Sequence, residues 1–394
     1  MRSVELFAGC GGLALGLARA GFRHELVVEL DSHAIATLQE NKRRGVEHVA
    51  HWPIEHKDVH GVDFSGIAGE IDLVAGGPPC QPFSIGGRHL GPEDDRNLWP
   101  EAIRAVRELR PKAFIFENVR GLLRPAFHDY LSYLKLYLAS PEIAITAGES
   151  WLEHLGRLRR RAGSESVTSY KVVFRAINTA DYGAPQQRHR AIAIGIRADV
   201  AADWAFPEGT HSRDALIWSK FVSGSYWMKH GEELLRPTGE SSSDAVILSR
   251  LLNDMFERSE SPWLTVRDAI GDLPTPTEEA EPVFNHRLRP GAKVYPRHTG
   301  SKWDQPAKAL KAGDHGVPGG ENMLVLDGGA VRYFTLREMA RLQGFPDDFV
   351  VPNSWKRPIR QLGNAVPVQV GEAFGHGIAG ILASAVSRRA LKAT

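Results

Sequence analysis

The chain has 394 residues, is 42% hydrophobic and is almost neutral, with 48 lysines and arginines against 47 acidic residues. That length suggests two domains with their own cores, and a net charge of +1 confines any nucleic-acid affinity to local patches. Two cysteines, Cys10 and Cys80, exclude a disulfide framework and a cysteine-rich metal site. With no signal-peptide pattern and no membrane-length apolar run, the expectation is a soluble intracellular protein.

The first 200 residues alternate short apolar runs with helical periodicity, which predicts a parallel sheet covered by helices. Strands are expected at 3–7, 25–30, 71–75, 113–116, 172–177 and 191–196. Helices are expected at 13–20, closed by Gly21, at 32–41, with Ser32 as N-cap, and at 98–109, ended before Pro111. A basic helix at 151–161 carries Arg157, Arg159, Arg160 and Arg161, either as a solvated face or as a surface for a DNA backbone. From about Ala201 the periodicity fades and Pro, Gly, Ser and Trp become frequent. Between 285 and 311, Arg287, Arg289, Lys293, Arg297, Lys302, Lys308 and Lys311 stand against one acid, Asp304. Tyr295, Trp303, His286 and His298 are interleaved, a mixture suited to a surface lying on nucleic acid. The preceding Glu278-Glu279-Ala280-Glu281 partly balances it. A helical pattern returns through 368–391.

Three places in this frame carry chemistry. Phe7-Ala8-Gly9-Cys10-Gly11-Gly12 follows the first strand and opens the first helix, so a ligand can approach the backbone there. Glu29 ends the second strand about 20 residues after Gly9, the placement of an acid that binds ribose hydroxyls. These features alone leave any adenosine-containing cofactor open, nicotinamide included. Asp58 is either an exposed loop acid or an acceptor for an adenine amino group. Next, Gly76-Gly77-Pro78-Pro79-Cys80-Gln81-Pro82-Phe83-Ser84 leaves a strand in a stiff turn, presenting a thiol as a candidate nucleophile. Then Glu117 emerges from the apolar strand Phe114-Ile115-Phe116, either as a proton donor or as a bracing acid. Arg188 and Arg190 would share one face if their strand begins at that point.

With these motifs in order from end to end, the chain resembles the DNA cytosine-5 methyltransferases. The resemblance extends to Arg337-Glu338-Met339-Ala340-Arg341-Leu342-Gln343-Gly344-Phe345-Pro346, similar to the element that braces the family's recognition domain, and to Gln361-Leu362-Gly363-Asn364-Ala365-Val366-Pro367, similar to its final motif. It departs at Ala309-Leu310, where the family often carries Thr-Leu. The implied fold is an α/β, Rossmann-like methyltransferase sheet, formed by 1–200 plus 356–394, with a smaller loop-rich target-recognition domain at 201–355. The implied cofactor is S-adenosylmethionine, with S-adenosylhomocysteine as product, held by Phe7, Gly9, Gly11, Glu29, Asp58, Pro78, Asn364 and Val366. The implied catalytic set is Cys80, Glu117, Arg188 and Arg190, acting on a cytosine flipped out of duplex DNA. Gln81, Ser84 and Arg96 on the loop, and Arg287, Arg289, Arg297, Lys302 and Lys308, are the expected DNA contacts. No metal is expected. The resemblance implies a cytoplasmic, bacterial-type monomer on double-stranded DNA, with a cognate restriction endonuclease as a candidate partner. A transfer-RNA cytosine methyltransferase is the nearest alternative, disfavoured by the long segment 201–355. A catalytically dead DNA binder would need none of Cys80, Glu117, Arg188 and Arg190, and a nicotinamide oxidoreductase explains neither Cys80 nor the basic stretch.

Overall fold

The structure, a computed structural model, describes residues 1–79, 97–162, 169–201, 203–231, 242–253, 259–278, 283–294, 299–313, 322–352 and 356–393. The chain begins with β1 (Arg2–Leu6), α1 (Gly12–Arg19), β2 (Arg23–Glu29), α2 (Ser32–Arg43), β3 (Ile54–His56) and β4 (Leu73–Gly76). Next come α3 (Trp99–Leu109), β5 (Ala113–Val119), α4 (His128–Ala139), α5 (Trp151–Ala162), β6 (Tyr170–Asn178), β7 (Gln186–Gln187) and β8 (His189–Arg197). There follow β9 (His211–Ser212), α6 (Arg213–Phe221), α7 (Ser225–His230), α8 (Ser242–Asn253), β10 (Ser261–Pro262) and α9 (Val266–Ile270). The remainder is β11 (Ala307–Lys308), β12 (Met323–Val325), β13 (Val331–Tyr333), α10 (Leu336–Leu342), α11 (Lys356–Asn364) and α12 (Val368–Ala393).

Two compact units result. The first comprises Met1–Ile177, His189–Pro207 and Phe345–Thr394. Its seven-stranded sheet runs β3-β2-β1-β4-β5-β8-β6, with β1 to β5 parallel and β8 antiparallel to β5. Strands buried on both faces read as continuous apolar runs, which is why Val4, Leu6, Leu73 to Ala75 and Ala113 to Phe116 stood out in the sequence. One face packs on α3, α4 and α5 through Trp99, Ile103, Tyr133, Leu134, Leu155 and Leu158. On α1 and α12 small residues meet: a Cβ on Gly16 would collide with the backbone of Val368, Gly371 and Glu372. Asp31, rather than the expected Ser32, caps α2, because β2 stops early enough for its carboxylate to accept the N–H of His33 and Ala34.

The second unit comprises Asn178–Arg188 and Glu208–Gly344. It is loop-rich, with two-stranded pairings β9 to β10, β7 to β11 and β12 to β13. Residues 178–188 belong here, within the stretch expected to be catalytic, because β7 pairs with β11. The other boundary falls before Phe345 rather than at 356, since Asn41 of α2 bonds both the N–H and the C=O of Val350 at 2.8 and 2.7 Å.

Candidate active site and cofactor cradle

The carboxyl ends of β1, β2, β4 and β5 lie at one edge of the sheet, since these strands are parallel. At the first crossing, Phe7 takes φ +55, a left-handed conformation that is uncommon outside glycine, and Gly9 and Gly11 take +56 and +89. A Cβ on Gly9 would meet nothing, so open space lies over the loop, whereas one on Gly12 would strike the Val366 carbonyl. The Glu29 carboxylate spans the loop: one oxygen accepts Gly9 N–H at 2.7 Å, the other Leu30 and Asp31 N–H at 2.8 and 2.7 Å. Leu30 beside it is 58% exposed, an apolar surface with no packing duty that the sequence reading passed over. Asp58 begins the turn after β3, on the strand next to β2, and stays about half exposed. Hydrogen bonds from the backbone and ring of His60 hold its carboxyl below the usual range. From the chain's other end, Gln361 accepts from Thr37 at 2.8 Å and donates to the His33 carbonyl at 3.2 Å. Asn364 is exposed and Val366 is buried against α1. Positive-φ glycines, a positioned carboxylate and an exposed leucine make a cradle that fits an adenosine-bearing cofactor.

At the neighbouring crossing, β4 and β5 are in register at Gly76 and Phe116, so the turn after β4 and Glu117 leave the sheet together. A Cβ on Gly77 would sit 3.5 Å from the Glu117 carboxylate. Asn118 donates from Nδ2 to the Pro78 carbonyl at 3.1 Å, fixing the segment that runs into residue 80. That brace lay hidden in the sequence, where Asn118 was only Glu117's neighbour. Arg190 lies opposite Val119 in the antiparallel ladder, so Glu117 is its diagonal neighbour on the same face. Its Nε reaches Glu117 Oε1 at 2.6 Å, with both side chains mostly buried. Cys80, Gln81, Ser84 and Arg96 lie outside the described residues.

Arg188 does not share a strand face with Arg190. β8 starts at His189, and Arg188 belongs to the second unit, buried, with Nη1 donating to the Leu310 carbonyl at 2.7 Å. Gln186 donates to the Leu342 carbonyl and to Gln343 Oε1, at 3.0 and 2.7 Å. Leu310, beside the departure from the family pattern at Ala309, holds both side chains by its backbone, its carbonyl accepting from Arg188 and its N–H donating to Gln186 Oε1 at 3.4 Å.

Within the second unit Arg287, Arg289, Lys302 and Lys308 are all exposed, and Arg297 lies outside the described residues. Asp304, the single acid of that stretch, turns inward. It accepts from Arg267 Nε at 2.7 Å and Tyr226 Oη at 2.8 Å, while Lys220 donates to its carbonyl. Burial would raise its carboxyl, but the bonds from Arg267 and Tyr226 hold it below the usual range. The backbones of Val266 and Arg267 donate to Gln305 and Trp303, both at 2.9 Å, clamping 303–305. His286 is likewise buried between Thr335 and the Pro274 carbonyl. Among the described residues of 285–311, the basic side chains are exposed while Asp304 is held by the second unit's own framework.

The fold and these two crossings define an α/β class that binds its ligands at the carboxyl edge of a mostly parallel sheet. A model of the C-5 cytosine-specific DNA methylase family matches residues 1–140 and 163–379, and the chain belongs to that family: it is a DNA (cytosine-5) methyltransferase. It is 32% identical to the type II methyltransferase M.PspPI of Psychrobacter sp. over 390 residues, 97% of this chain and 80% of that protein. It is 31% identical to M.Eco47II of Escherichia coli over 386 residues, 96% and 79% of the respective chains. Among solved structures, Spodoptera frugiperda DNMT2 shares the fold at TM-score 0.54 and 14% identity, covering 97% of this chain and 99% of that one. Among the described residues no helix is long and apolar enough to cross a membrane.

Proposed function

We propose that this protein uses S-adenosylmethionine to methylate C5 of a cytosine extruded from a specific duplex site, with Cys80 as nucleophile and Glu117 as the acid on the base. The observation that carries the reading is the joint between β4 and β5. Glu117 lies against Gly77, and Asn118 holds the Pro78 carbonyl, so the acid and the segment entering Cys80 are fixed to one another. C5 of cytosine is a weak nucleophile, and addition of a thiolate at C6 makes it enamine-like. Cys80 forms the bond to C6 while Glu117 donates to N3, drawing electrons out of the ring. When bound, S-adenosylmethionine supplies the electrophilic methyl group. Loss of the C5 proton to a base then expels the thiolate and restores the aromatic ring. Arg190 fixes the orientation of Glu117 through their 2.6 Å pair. Arg188, bound to Leu310, is assigned to supporting the motif from the second unit. Gly9, Gly11 and Phe7 shape the cofactor loop, Glu29 receives the ribose hydroxyls, and Asp58, Pro78, Asn364 and Val366 complete the pocket.

Gln81, Ser84 and Arg96 contact the opened duplex, while Arg287, Arg289, Arg297, Lys302 and Lys308 read and grip the site. Restriction–modification in a bacterial cytoplasm is the proposed setting, with the enzyme acting as a monomer and a cognate endonuclease sharing its site. Duplex DNA carrying 5-fluorocytosine at the target tests the chemistry, because fluorine cannot leave as a proton does. A denaturation-resistant adduct should form with the wild type and not with Cys80→Ala, which should still bind S-adenosylmethionine. Methyl transfer by Cys80→Ala, or no adduct at a site the wild type methylates, removes Cys80 from the reaction.

A further inference from the structure

We propose that His56 and His60 are positioning residues for the nucleoside end of the cofactor: His60 presets Asp58 to accept the amino group of a 6-aminopurine, and His56 fixes Leu30 as an apolar surface for the same ring; this rests on the reading of Asp58 as the adenine-contacting acid of an S-adenosylmethionine site. β2 and β3 are parallel, with Glu29 paired to His56, so the residues that follow them leave the same edge of the sheet side by side. The turn after β3 is fixed to the core. Val59 and Val62 are buried there, and Arg104 donates to their carbonyls at 2.8 and 3.2 Å.

On that turn His60 brings two donors to one oxygen of Asp58. Its backbone N–H lies 3.0 Å from Oδ1 and its ring Nδ1 2.7 Å from the same atom. A carboxylate only accepts, so Nδ1 carries a proton whether the ring is neutral or charged. The N–H bond is the ordinary turn contact of an aspartate. The ring bond satisfies no further backbone group, and with both side chains more than half exposed it adds little to stability. What it adds is a second hold on Oδ1, which stops the carboxylate from rotating. Among the described residues no donor reaches Oδ2, so one acceptor stands at a fixed place for a ligand. A 6-aminopurine offers an N–H to that oxygen, whereas a 6-oxopurine sets a second acceptor against it.

His56 acts on the neighbouring strand end. Its Nε2 donates to the Leu30 carbonyl at 3.0 Å, while the Leu30 N–H is held by Glu29 Oε1 at 2.8 Å. Leu30 is thus pinned on both sides, yet it is 58% exposed. Pinning a leucine that stays mostly in water contributes nothing to a core. It does remove, before binding, the cost of ordering an apolar surface under a flat ring. Two imidazoles four residues apart therefore hold the two kinds of contact that a purine needs, one polar and one apolar.

Calorimetry on the full-length protein without DNA compares S-adenosylhomocysteine with S-inosylhomocysteine, in which an oxo group replaces the adenine amino group. The wild type should favour the adenosine form. His60→Ala should weaken the adenosine form by about 2- to 12-fold, the range for ordering one side chain on binding, and leave the inosine form unchanged. His60→Asn, whose amide nitrogen can stand where Nδ1 does, should restore the preference. His56→Ala should weaken both forms alike, over about the same 2- to 12-fold range, and His56→Gln should restore both. An equal loss of both forms in His60→Ala overturns the assignment of His60, because a general disturbance of the edge would do that; so does no loss, or a His60→Asn variant as weak as the alanine one. Unchanged binding in His56→Ala overturns the assignment of His56. Asp58→Ala separates the levels. If it keeps the wild-type preference, the adenine assignment fails and the role of His60 with it; if it loses the preference while His60→Ala keeps it, His60 alone is removed.

Discussion

Glu29 does two jobs with one carboxylate: it receives three backbone N–H groups and stands at the rim of the glycine loop after β1. Glu29→Ala should weaken S-adenosylmethionine binding by about 1.5–3 kcal/mol, the range for a charge-assisted hydrogen bond. Asp31→Asn, which keeps a competent cap, should leave affinity near the wild-type value. Calorimetry without DNA checks both, and an unchanged Glu29→Ala affinity removes the ribose assignment. His24 gives a pH signature. It is buried between Ser3 Oγ at 3.0 Å and the Ala14 carbonyl at 2.9 Å, and burial pushes it down to about 4. The unfolded chain binds this proton from near pH 6.5 downward, the folded one only near 4, so stability falls as pH drops through that window and levels off below it. The loss should approach about 3 kcal/mol at about 1.4 kcal/mol per unit, and His24→Gln should flatten it in denaturant melts at pH 7 and pH 5. Cys10 offers a third check. Burial pushes its thiol up to about 12, so iodoacetamide should leave it unmodified in the folded protein. Alkylation of Cys10 at the rate seen in denaturant would contradict its burial. Where the candidate residues sit in the sheet was legible, because the glycines, Glu29 and Glu117 stand where apolar runs stop. What each one touches was not: Asn118 and Pro78 meet across two strands, and a cap shared between the neighbours Asp31 and Ser32 depends on where β2 stops.

Among the elements, the stretch 285–311 shows how much arrangement a composition pattern leaves open. Its cations are exposed where the structure describes them, but Asp304 is an anchor rather than a counterweight. Asp304→Ala should therefore free the 303–305 segment and raise methylation at near-cognate sites relative to the true one, while leaving cofactor affinity intact. Bisulfite sequencing of substrates with single-base changes reads this out, and unchanged site preference would make the anchor purely structural. Alanine at Lys302, Lys308 or Lys311 should weaken binding to all sequences alike, by about one unit of salt slope per lost phosphate. Among Arg287, Arg289 and Arg297, at least one alanine change should relax discrimination by about 1–3 kcal/mol, as loss of a bidentate guanine contact does. If all six leave affinity, slope and preference unchanged, recognition lies elsewhere in the second unit. The central strands β1, β4 and β5 were visible because they are mostly apolar, whereas the short edge strand β3, Ile54-Glu55-His56, was not among those expected. β7 and β11 were not, being two residues long and about 120 positions apart, and with them went the membership of 178–188.

For the molecule as a whole, the catalytic unit is discontinuous in sequence: it opens with the first residues, is interrupted by the second unit, and is completed from Phe345 onward. The cofactor cradle reflects this, since Gly12 rests on the Val366 carbonyl and Gly16 on Val368, close enough that neither tolerates a side chain. That seam imposes an order in time. During synthesis the small-residue face of α1 emerges first and has no partner until more than 300 further residues have followed. A nascent chain thus carries the whole second unit well before the helix against which α1 packs. The first unit closes last, and a polypeptide stopped short of α12 should be without methyl transfer, since Phe374 and Ile378 of that helix are core residues.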